Sequence, residues 1–202
     1  MVLNAVIIID VELSRLKEGS GEMNDVKLEI LKILWQFNRP SHLKEISKGV
    51  NLGARSVNMH LLNLKKKGYI VALGGGLYAL TDLGKEFLGF PRINGNLARK
   101  ILSKVPLEFA FHFYVGEDKP LNVYSDSLIN LRDKIRVIDL RSLEFHLFRG
   151  DFEKWVSFLG DIELAKRLEH IRKSNLSGED LREKVYECIK VRCDELLNLS
   201  GN

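Results

Sequence analysis

Side chains suited to binding nucleic acid are concentrated in one part of the sequence. Residues 41–80 contain six lysines and arginines against one glutamate, a net charge of +5, whereas residues 1–40 carry −1 and the remainder sums to zero. The stretch ARSVNMHLLNLKKKG at 54–68 adds two asparagines and a methionine. Arginine binds guanine bidentately, asparagine binds adenine, and methionine packs on a thymine methyl. The pattern indicates a DNA-binding surface, although lysines at a helix end also merely solvate it and complement its dipole.

The helix expected over residues 54–67 has an inner and an outer side. With roughly 100° per residue, Val57, Leu61 and Leu64 fall within about 40° of Val57 and form the inward stripe. The residues expected on the outward face, with the last two flanking it, are Arg55, Met59, Lys66, Asn58 and Asn63. The spacing therefore predicts a helix that anchors itself by leucines and displays cations and amides.

Other elements must hold this helix in place. Apolar residues spaced 4-3-4 predict a first helix over 24–38 that closes before Pro40. Ser41 is expected to be the N-cap of a short second helix, and the residues NLG at 51–53 form a tight turn before the third helix.

A β-hairpin is expected to follow the third helix. Gly68 is expected to end that helix, and three glycines at 74–76 separate the apolar runs YIVAL and LYAL, which predicts the hairpin. Thr81 is then expected to cap another short helix. Helix, short helix, turn, third helix and glycine-tipped hairpin is the order of a winged helix-turn-helix.

Three segments resemble ArsR/MarR-type regulators of bacteria and archaea. They are SVNMHLLNLKKKGYI, which is similar to their recognition helix, LYALTDLGKEFL, which is similar to their strand-to-helix junction, and HLKEISKGVNLGARSV, which is similar to their preceding helix and turn. The resemblance covers about residues 24–90. It differs from that group at Met59, where an arginine or another polar residue is common, and at the hairpin tip, which has no cation.

The resemblance implies which residues contact DNA. Residues near the start of the third helix would face base edges in the major groove, whereas others would bind phosphates and set the register. The candidate DNA-binding residues are Ser41, Lys44, Arg55, Ser56, Asn58, Met59, Asn63, Lys65, Lys66 and Lys67. The partner would be double-stranded DNA, read as a palindromic operator by a homodimer.

The two remaining blocks of sequence are less informative. Apolar residues spaced 4-3-4-3 over residues 2–16 form a heptad-like seam, so 1–22 is a candidate dimerisation segment, although the β-branched VIII run also suits a strand. The linker FPRINGN at 90–96 separates the domain predicted over 23–90 from one predicted over 97–202.

The C-terminal block is predicted to be mostly helical. The alternating apolar residues of 108–115 indicate a strand, and SGED at 177–180 matches a capping box before a helix that reaches about residue 198. That helix presents Leu181, Val185, Ile189 and Leu196–Leu197. Residues 125–171 resemble a small helical domain, of unknown function, that is appended to various prokaryotic proteins.

Three roles for this block stay open. It is a candidate effector domain, with a pocket for a small anion or polar metabolite lined by His112, His146, Arg149, Asp151 and Trp155. Alternatively the aromatic residues form a core, and Arg149 pairs locally with Asp151. It is also a candidate dimerisation domain through its last helix, whereas the scattered histidines argue against metal sensing.

Other classes of protein are disfavoured by the sequence. No stretch reaches the roughly 20 apolar residues that span a bilayer, and no signal peptide is recognisable, so a cytoplasmic protein is expected. Cys188 and Cys193 lack disulfide or metal-site spacing. No nucleotide-binding, hydrolase or metalloprotease motif is present, so neither an enzyme nor a cofactor is expected.

The sequence thus predicts a mainly α protein with little β structure: an N-terminal winged helix-turn-helix and a mostly helical C-terminal domain. The expected function is transcription regulation by sequence-specific DNA binding. The alternative is a winged-helix protein-interaction module that does not bind specific DNA.

Overall fold

The chain divides into two compact units that join between Arg92 and Ile93. The computed structural model describes residues 25–201. The seam predicted over 2–16 and the dimerisation segment 1–22 lie outside these described residues. Each unit has its own hydrophobic core.

Helices α1 (Asp25–Phe37) and α3 (Ala54–Lys66) carry most of the N-terminal core. The buried residues of this core are Ile30, Leu31, Leu34, Ile46, Val57, Leu61, Leu64 and Ile70. Helix α1 stops at Asn38, whose φ of 52° is left-handed, a conformation that asparagine tolerates. The helices predicted over 24–38 and 54–67 are therefore confirmed to within a residue at each end.

A small antiparallel sheet completes the N-terminal unit. The strands β1 (Ser41–His42), β2 (Ile70–Leu73) and β3 (Leu77–Leu80) lie in the order β1-β3-β2. Strands β2 and β3 pair in register from Ile70 opposite Leu80 to Leu73 opposite Leu77. This is the hairpin that the apolar runs around the glycines predicted. The unit is a winged helix-turn-helix.

The prediction that Ser41 is an N-cap is wrong. Helix α2 (Leu43–Gly49) has His42 at its N-cap, and the backbone N–H of His42 donates to Glu45 Oε2 at 3.0 Å. Ser41 is buried in β1, opposite Tyr78, and its hydroxyl donates to the carbonyl oxygen of Arg39 at 3.1 Å. Pairing with β3 holds Ser41 in extended backbone one residue too early to cap the helix.

Thr81 fastens the end of α3 to the helix that follows the hairpin, α4 (Asp82–Phe87). Its Oγ1 donates to the carbonyl oxygen of Gly68 at 2.6 Å and accepts from the N–H of Gly84 at 3.1 Å, so the predicted cap is confirmed. A Cβ on Gly84 would stand 2.2 Å from the carbonyl oxygen of Tyr69. The glycine is therefore required for close backbone approach.

The C-terminal unit is mainly helical with one two-stranded sheet, which confirms the predicted fold class. Its core is lined by every helix of the unit and by strand β4. Its elements are α5 (Gly95–Leu102), β4 (Phe111–Tyr114), β5 (Pro120–Ser125), α6 (Leu128–Ile135), α7 (Leu140–Phe148), α8 (Asp151–Leu159), α9 (Ile162–Arg172) and α10 (Gly178–Ser200).

Several predicted details of this unit need correction. The strand expected over 108–115 is only the four residues of β4, because Phe109 lies in a 3₁₀ turn. Ser177 precedes α10, but its side chain makes no capping hydrogen bond. Leu197 is exposed, whereas Leu196 is buried. Asn94, within the expected linker, already caps α5 by accepting from the N–H of Leu97 at 2.9 Å.

A buried ion-pair network joins α10 to the start of α9. Arg192 binds both carboxylate oxygens of Asp161, at 2.7 and 3.0 Å, and lies 2.8 Å from Glu195 and 3.3 Å from Glu163. Asp161 also accepts from the N–H of Leu164 at the start of α9. One buried carboxylate thus caps one helix and binds the arginine of another.

Candidate nucleic-acid interface

Helix α3 is closed at its C-terminal end by a backbone motif centred on Gly68. Gly68 has a φ of 78°, its N–H donates to the carbonyl oxygen of Lys65, and the N–H of Tyr69 donates to that of Leu64. These two bonds form a Schellman motif, which needs a left-handed residue at Gly68. The predicted helix end is confirmed, and the lysines of the last turn are held at a fixed position.

The inward side of α3 is the predicted one. Val57, Leu61 and Leu64 are fully buried. Burying a side chain of this size stabilises a fold by about 1.5–3 kcal/mol relative to leaving it exposed. This side therefore fixes the rotation of α3 and decides which residues face solvent.

The outward side of α3 carries a stripe of four residues, Arg55, Met59, Leu62 and Lys66. They are spaced 4-3-4 and fall within about 60° of one another. Met59 is 66% exposed and Leu62 is 54% exposed. Sequence analysis missed Leu62, although its place three residues after Met59 is a sufficient signal. The centre of the outward face is thus apolar, with one cation at each end.

The two asparagines contribute less to this face than predicted. Asn58 and Asn63 are both half-buried rather than exposed. The amide oxygen of Asn63 is buried and has no hydrogen-bond partner among residues 25–201. Because that oxygen points away from solvent, Asn63 is poorly placed to bind a base edge. Ser56, by contrast, is exposed at the start of the helix.

Six exposed lysines and arginines lie on α2, on α3 and at the C-cap of α3, and two of them also belong to the stripe. Within the part of the chain that the structure describes, these exposed cations form no ion pair with a carboxylate. They are Lys44, Lys48, Arg55, Lys65, Lys66 and Lys67. We call these six the cationic patch. Lys48 is an addition to the residues selected from the sequence.

Two neighbouring polar residues do not belong to this patch. Arg39 binds Glu45 at 2.6 Å, and this hydrogen bond, with one from the backbone of His42, lowers the pKa of Glu45 to about 2. The charge of Arg39 is therefore compensated within the chain. Ser41 was predicted to bind phosphate, but it is buried and its hydroxyl donates to the carbonyl oxygen of Arg39, so we do not count it among the proposed phosphate contacts.

The hairpin tip offers backbone rather than side chains. Gly75 and Gly76 have φ values of 72° and 76°, and a Cβ on either of them would meet nothing within 4 Å. Backbone conformation, not crowding, therefore requires these glycines. Val71 and Leu73 of β2 are exposed beside the tip.

The residues selected as an effector pocket are engaged inside the C-terminal unit. His146 is buried, its Nε2 accepts from the N–H of Tyr114 at 2.8 Å, and its Nδ1 lies 2.9 Å from Asp151 Oδ2. Burial lowers the pKa of His146 despite its hydrogen bond with Asp151. Trp155 donates from Nε1 to the carbonyl oxygen of Phe109 at 2.8 Å. The polar atoms of both rings are thus already bonded within the C-terminal unit.

Arg149 and His112, which also belong to the predicted pocket, lie at the surface. Arg149 pairs with Asp151 at 3.3 Å and lies over the ring of Phe145, which is the local pair considered as an alternative. His112 is exposed, and its Nε2 lies 3.3 Å from the carbonyl oxygen of Leu107. The structure therefore brings together His146, Arg149 and Asp151, but as a packing cluster.

Neither a metal-binding cluster nor a membrane-crossing helix is found among residues 25–201. Among these residues, no group of three or more histidine, cysteine, aspartate or glutamate side chains is placed to hold a metal ion. None of the helices that the structure describes is long and apolar enough to cross a membrane.

Comparison with known proteins bears on the N-terminal unit alone. Residues 23–71 match the family described as winged helix-turn-helix DNA-binding. No curated protein and no solved structure matches the chain significantly. The matched residues contain α1, α2 and α3 and thus the outward stripe. The match supports a DNA-binding regulator in general.

Proposed function

We propose that this protein is a sequence-specific transcription regulator that reads double-stranded DNA with α3. The observation that carries the proposal is the cationic patch on α2 and α3, whose six exposed cations have no carboxylate partner among residues 25–201, together with the solvent-exposed outward stripe of α3. A basic surface of this kind binds the phosphate backbone and steers the protein to DNA. Helices α2 and α3 are joined by a short turn, as in helix-turn-helix proteins, whose second helix lies in the major groove.

The residues divide between two tasks. Lys44 and the lysines at 65–67 bind phosphates and hold the register, because lysine is a compact point charge on a flexible stem. Arg55, Ser56 and Met59 lie on the first turns of α3 and face base edges. Asn58 can contact a base edge only if its half-buried amide group turns outward.

The subtype we infer is the ArsR/MarR type. The junction after the hairpin supports this inference, since Thr81 and Gly84 of the resembling segment have specific structural tasks. The resemblance carries the expectation of a homodimer that reads a palindrome. Two copies would place their α3 helices in half-sites about 34 Å apart on one side of the DNA.

The C-terminal unit offers a surface for that homodimer. Phe109 and Phe158 stack at the surface with ring centroids 5.7 Å apart, and they are 48% and 57% exposed. Leu107, in the same 3₁₀ turn as Phe109, is also exposed. Exposed apolar side chains that lie together often mark interaction sites, and a twofold axis brings the same patch of two copies face to face. We propose that this aromatic patch forms the dimer contact.

The dimer is tested by sedimentation equilibrium of the full chain. We expect Phe158→Glu to shift the protein toward monomer, because a carboxylate at the contact would be desolvated without a partner. Val137→Glu is the matched control, since Val137 is also exposed in the C-terminal unit. Equal dimer dissociation constants for wild type and Phe158→Glu would place the contact elsewhere.

DNA reading is tested by selecting bound duplexes from a random pool and measuring their affinities by fluorescence anisotropy. We expect a selected motif with twofold symmetry. Lys66→Glu should weaken binding to every sequence, because it reverses a phosphate-binding charge. Arg55→Ala should mainly flatten the preference among sequences. Wild-type affinity of both variants for selected and random DNA would contradict the proposed docking of α3.

A protein-interaction module is the second candidate function. One observation favours it: Val71 and Leu73 are exposed beside a hairpin tip without a cation, where many winged helices contact DNA. The anisotropy assay separates the two candidates. An interaction module should bind random duplex weakly even at low salt. A DNA-binding protein should bind it tightly at low salt and lose affinity as the salt concentration increases.

A further inference from the structure

The centre of the outward stripe of α3 differs in chemistry from its ends. Met59 and Leu62 are three residues apart and therefore adjacent on the helix surface. Both are more than half exposed, whereas the inward residues of the same helix are fully buried. Arg55 lies one turn before this pair and Lys66 one turn after it. The middle of the outward stripe of α3 is thus an exposed apolar pair with one cation a turn before it and one a turn after it.

Such a pair has few suitable partners in a major groove. The groove edges of guanine, cytosine and adenine present hydrogen-bond donors and acceptors, which neither a thioether nor a leucine side chain satisfies well. Thymine alone among the four bases adds a methyl group at C5. A helix that placed this pair against polar edges would desolvate them without compensation.

Resting on the proposed DNA-binding function, we infer that Met59 and Leu62 recognise the C5 methyl groups of thymines. The bases read by the middle of α3 are therefore thymines, within reach of the flanking Arg55 and Lys66. Specificity at these positions comes from apolar contact rather than from hydrogen bonds. The selected motif should contain thymine, on either strand, at the positions under the middle of α3.

The test replaces thymine by deoxyuridine in the selected operator. A·U pairs keep every hydrogen-bonding group of A·T pairs and lack only the methyl group. Each lost contact should weaken wild-type binding by roughly fourfold, the equivalent of one buried methylene. Deoxyuridine in the flanks of the same duplex is the DNA control and should have no effect.

The protein variants assign the effect to the pair. Met59→Gln/Leu62→Gln should bind thymine and deoxyuridine operators equally and should keep the wild-type dependence on salt. Both positions are exposed, so we expect the double variant to fold, which circular dichroism checks. Leu83→Gln is the matched control, since Leu83 is an exposed leucine on α4 of the same unit, and it should keep the wild-type preference for thymine.

The outcomes separate the inference from the proposed function. Binding of the selected operator with no sensitivity to deoxyuridine would overturn methyl recognition and leave DNA reading intact. Retained sensitivity in the double glutamine variant would also overturn it, because another residue would then contact the methyl groups. Failure to bind any duplex would remove the proposed function itself.

Discussion

The salt dependence of DNA binding tests the cationic patch most directly. Its six members are exposed, and within residues 25–201 no carboxylate pairs with them. Each phosphate neutralised by a lysine or arginine releases condensed counterions, so the logarithm of the affinity falls against the logarithm of salt with a slope of about −0.9 per contact. If the five lysines of the patch reach phosphate while Arg55 faces base edges, the slope is about −4.5 per bound unit.

This slope fixes the size of the expected change. Between 50 and 200 mM salt the affinity for random duplex should fall by roughly 500-fold. Replacing all three lysines at 65–67 by glutamine removes up to three contacts and should make the slope shallower by about 2.7. Fluorescence anisotropy on one random duplex, titrated at five or more salt concentrations, measures both slopes.

A single substitution of a lysine outside the patch, on the same unit, is the control for the loss of a positive charge. Lys32 is exposed on α1 and does not belong to the cationic patch, and Lys32→Gln should leave the slope unchanged. Thermal melting of each variant should match wild type, because the substituted side chains are at the surface. An unchanged slope for the triple variant would refute the reasoning, since the lysines at 65–67 would then lie outside the DNA contact.

Three other predictions concern the hairpin, the ion network and the thiols. Gly74 has no left-handed φ and open space around it, so Gly74→Arg should add a phosphate contact and steepen the salt slope by about 0.9; an unchanged slope would place the tip away from DNA. Arg192→Met should lower the free energy of unfolding in urea by about 3–5 kcal/mol, because Asp161 keeps a buried charge; Arg192→Met/Asp161→Asn should recover part of it, and equal stability of wild type and the single variant would contradict the network's role. Burial raises the pKa of Cys188 to about 11 and of Cys193 to about 12, so both thiols stay protonated at pH 8. Ellman's reagent should label both thiols slowly in the folded protein and fast in urea, and fast labelling of the folded protein would contradict the raised pKa values.

Much of the N-terminal unit was predictable from sequence because its determinants are local. The spacing of Val57, Leu61 and Leu64 sets which side of α3 is buried, and helical periodicity can be recognised in a single amino-acid sequence. Gly68 and Thr81 end and cap helices through bonds to residues a few positions away, so residue type alone indicates them. The same periodicity places Leu62 on the outward side of α3, although its apolar side chain does not mark it as a DNA-binding residue.

The errors occur where a distant segment decides the environment of a residue. Ser41 has the residue type of an N-cap, but pairing with β3, more than 30 residues later, draws it into a strand. His146 has the residue type of a ligand, but the N–H of Tyr114 and the carboxylate of Asp151 bond to its two nitrogens. Neither β3 as the partner of Ser41 nor Tyr114 as a partner of His146 can be identified from neighbouring residues, whereas Asp151 lies only five positions from His146.

By itself the sequence determined the order of elements, the buried side of α3 and the concentration of cations in residues 41–80, because periodicity, turn chemistry and charge are properties of short segments. The tertiary structure alone decided which of those cations are unpaired, how exposed the side chains of Met59 and Leu62 are, and that Arg192 binds Asp161. Exposure and ion pairing depend on what folds back against each side chain, and those contacts join residues far apart in the chain.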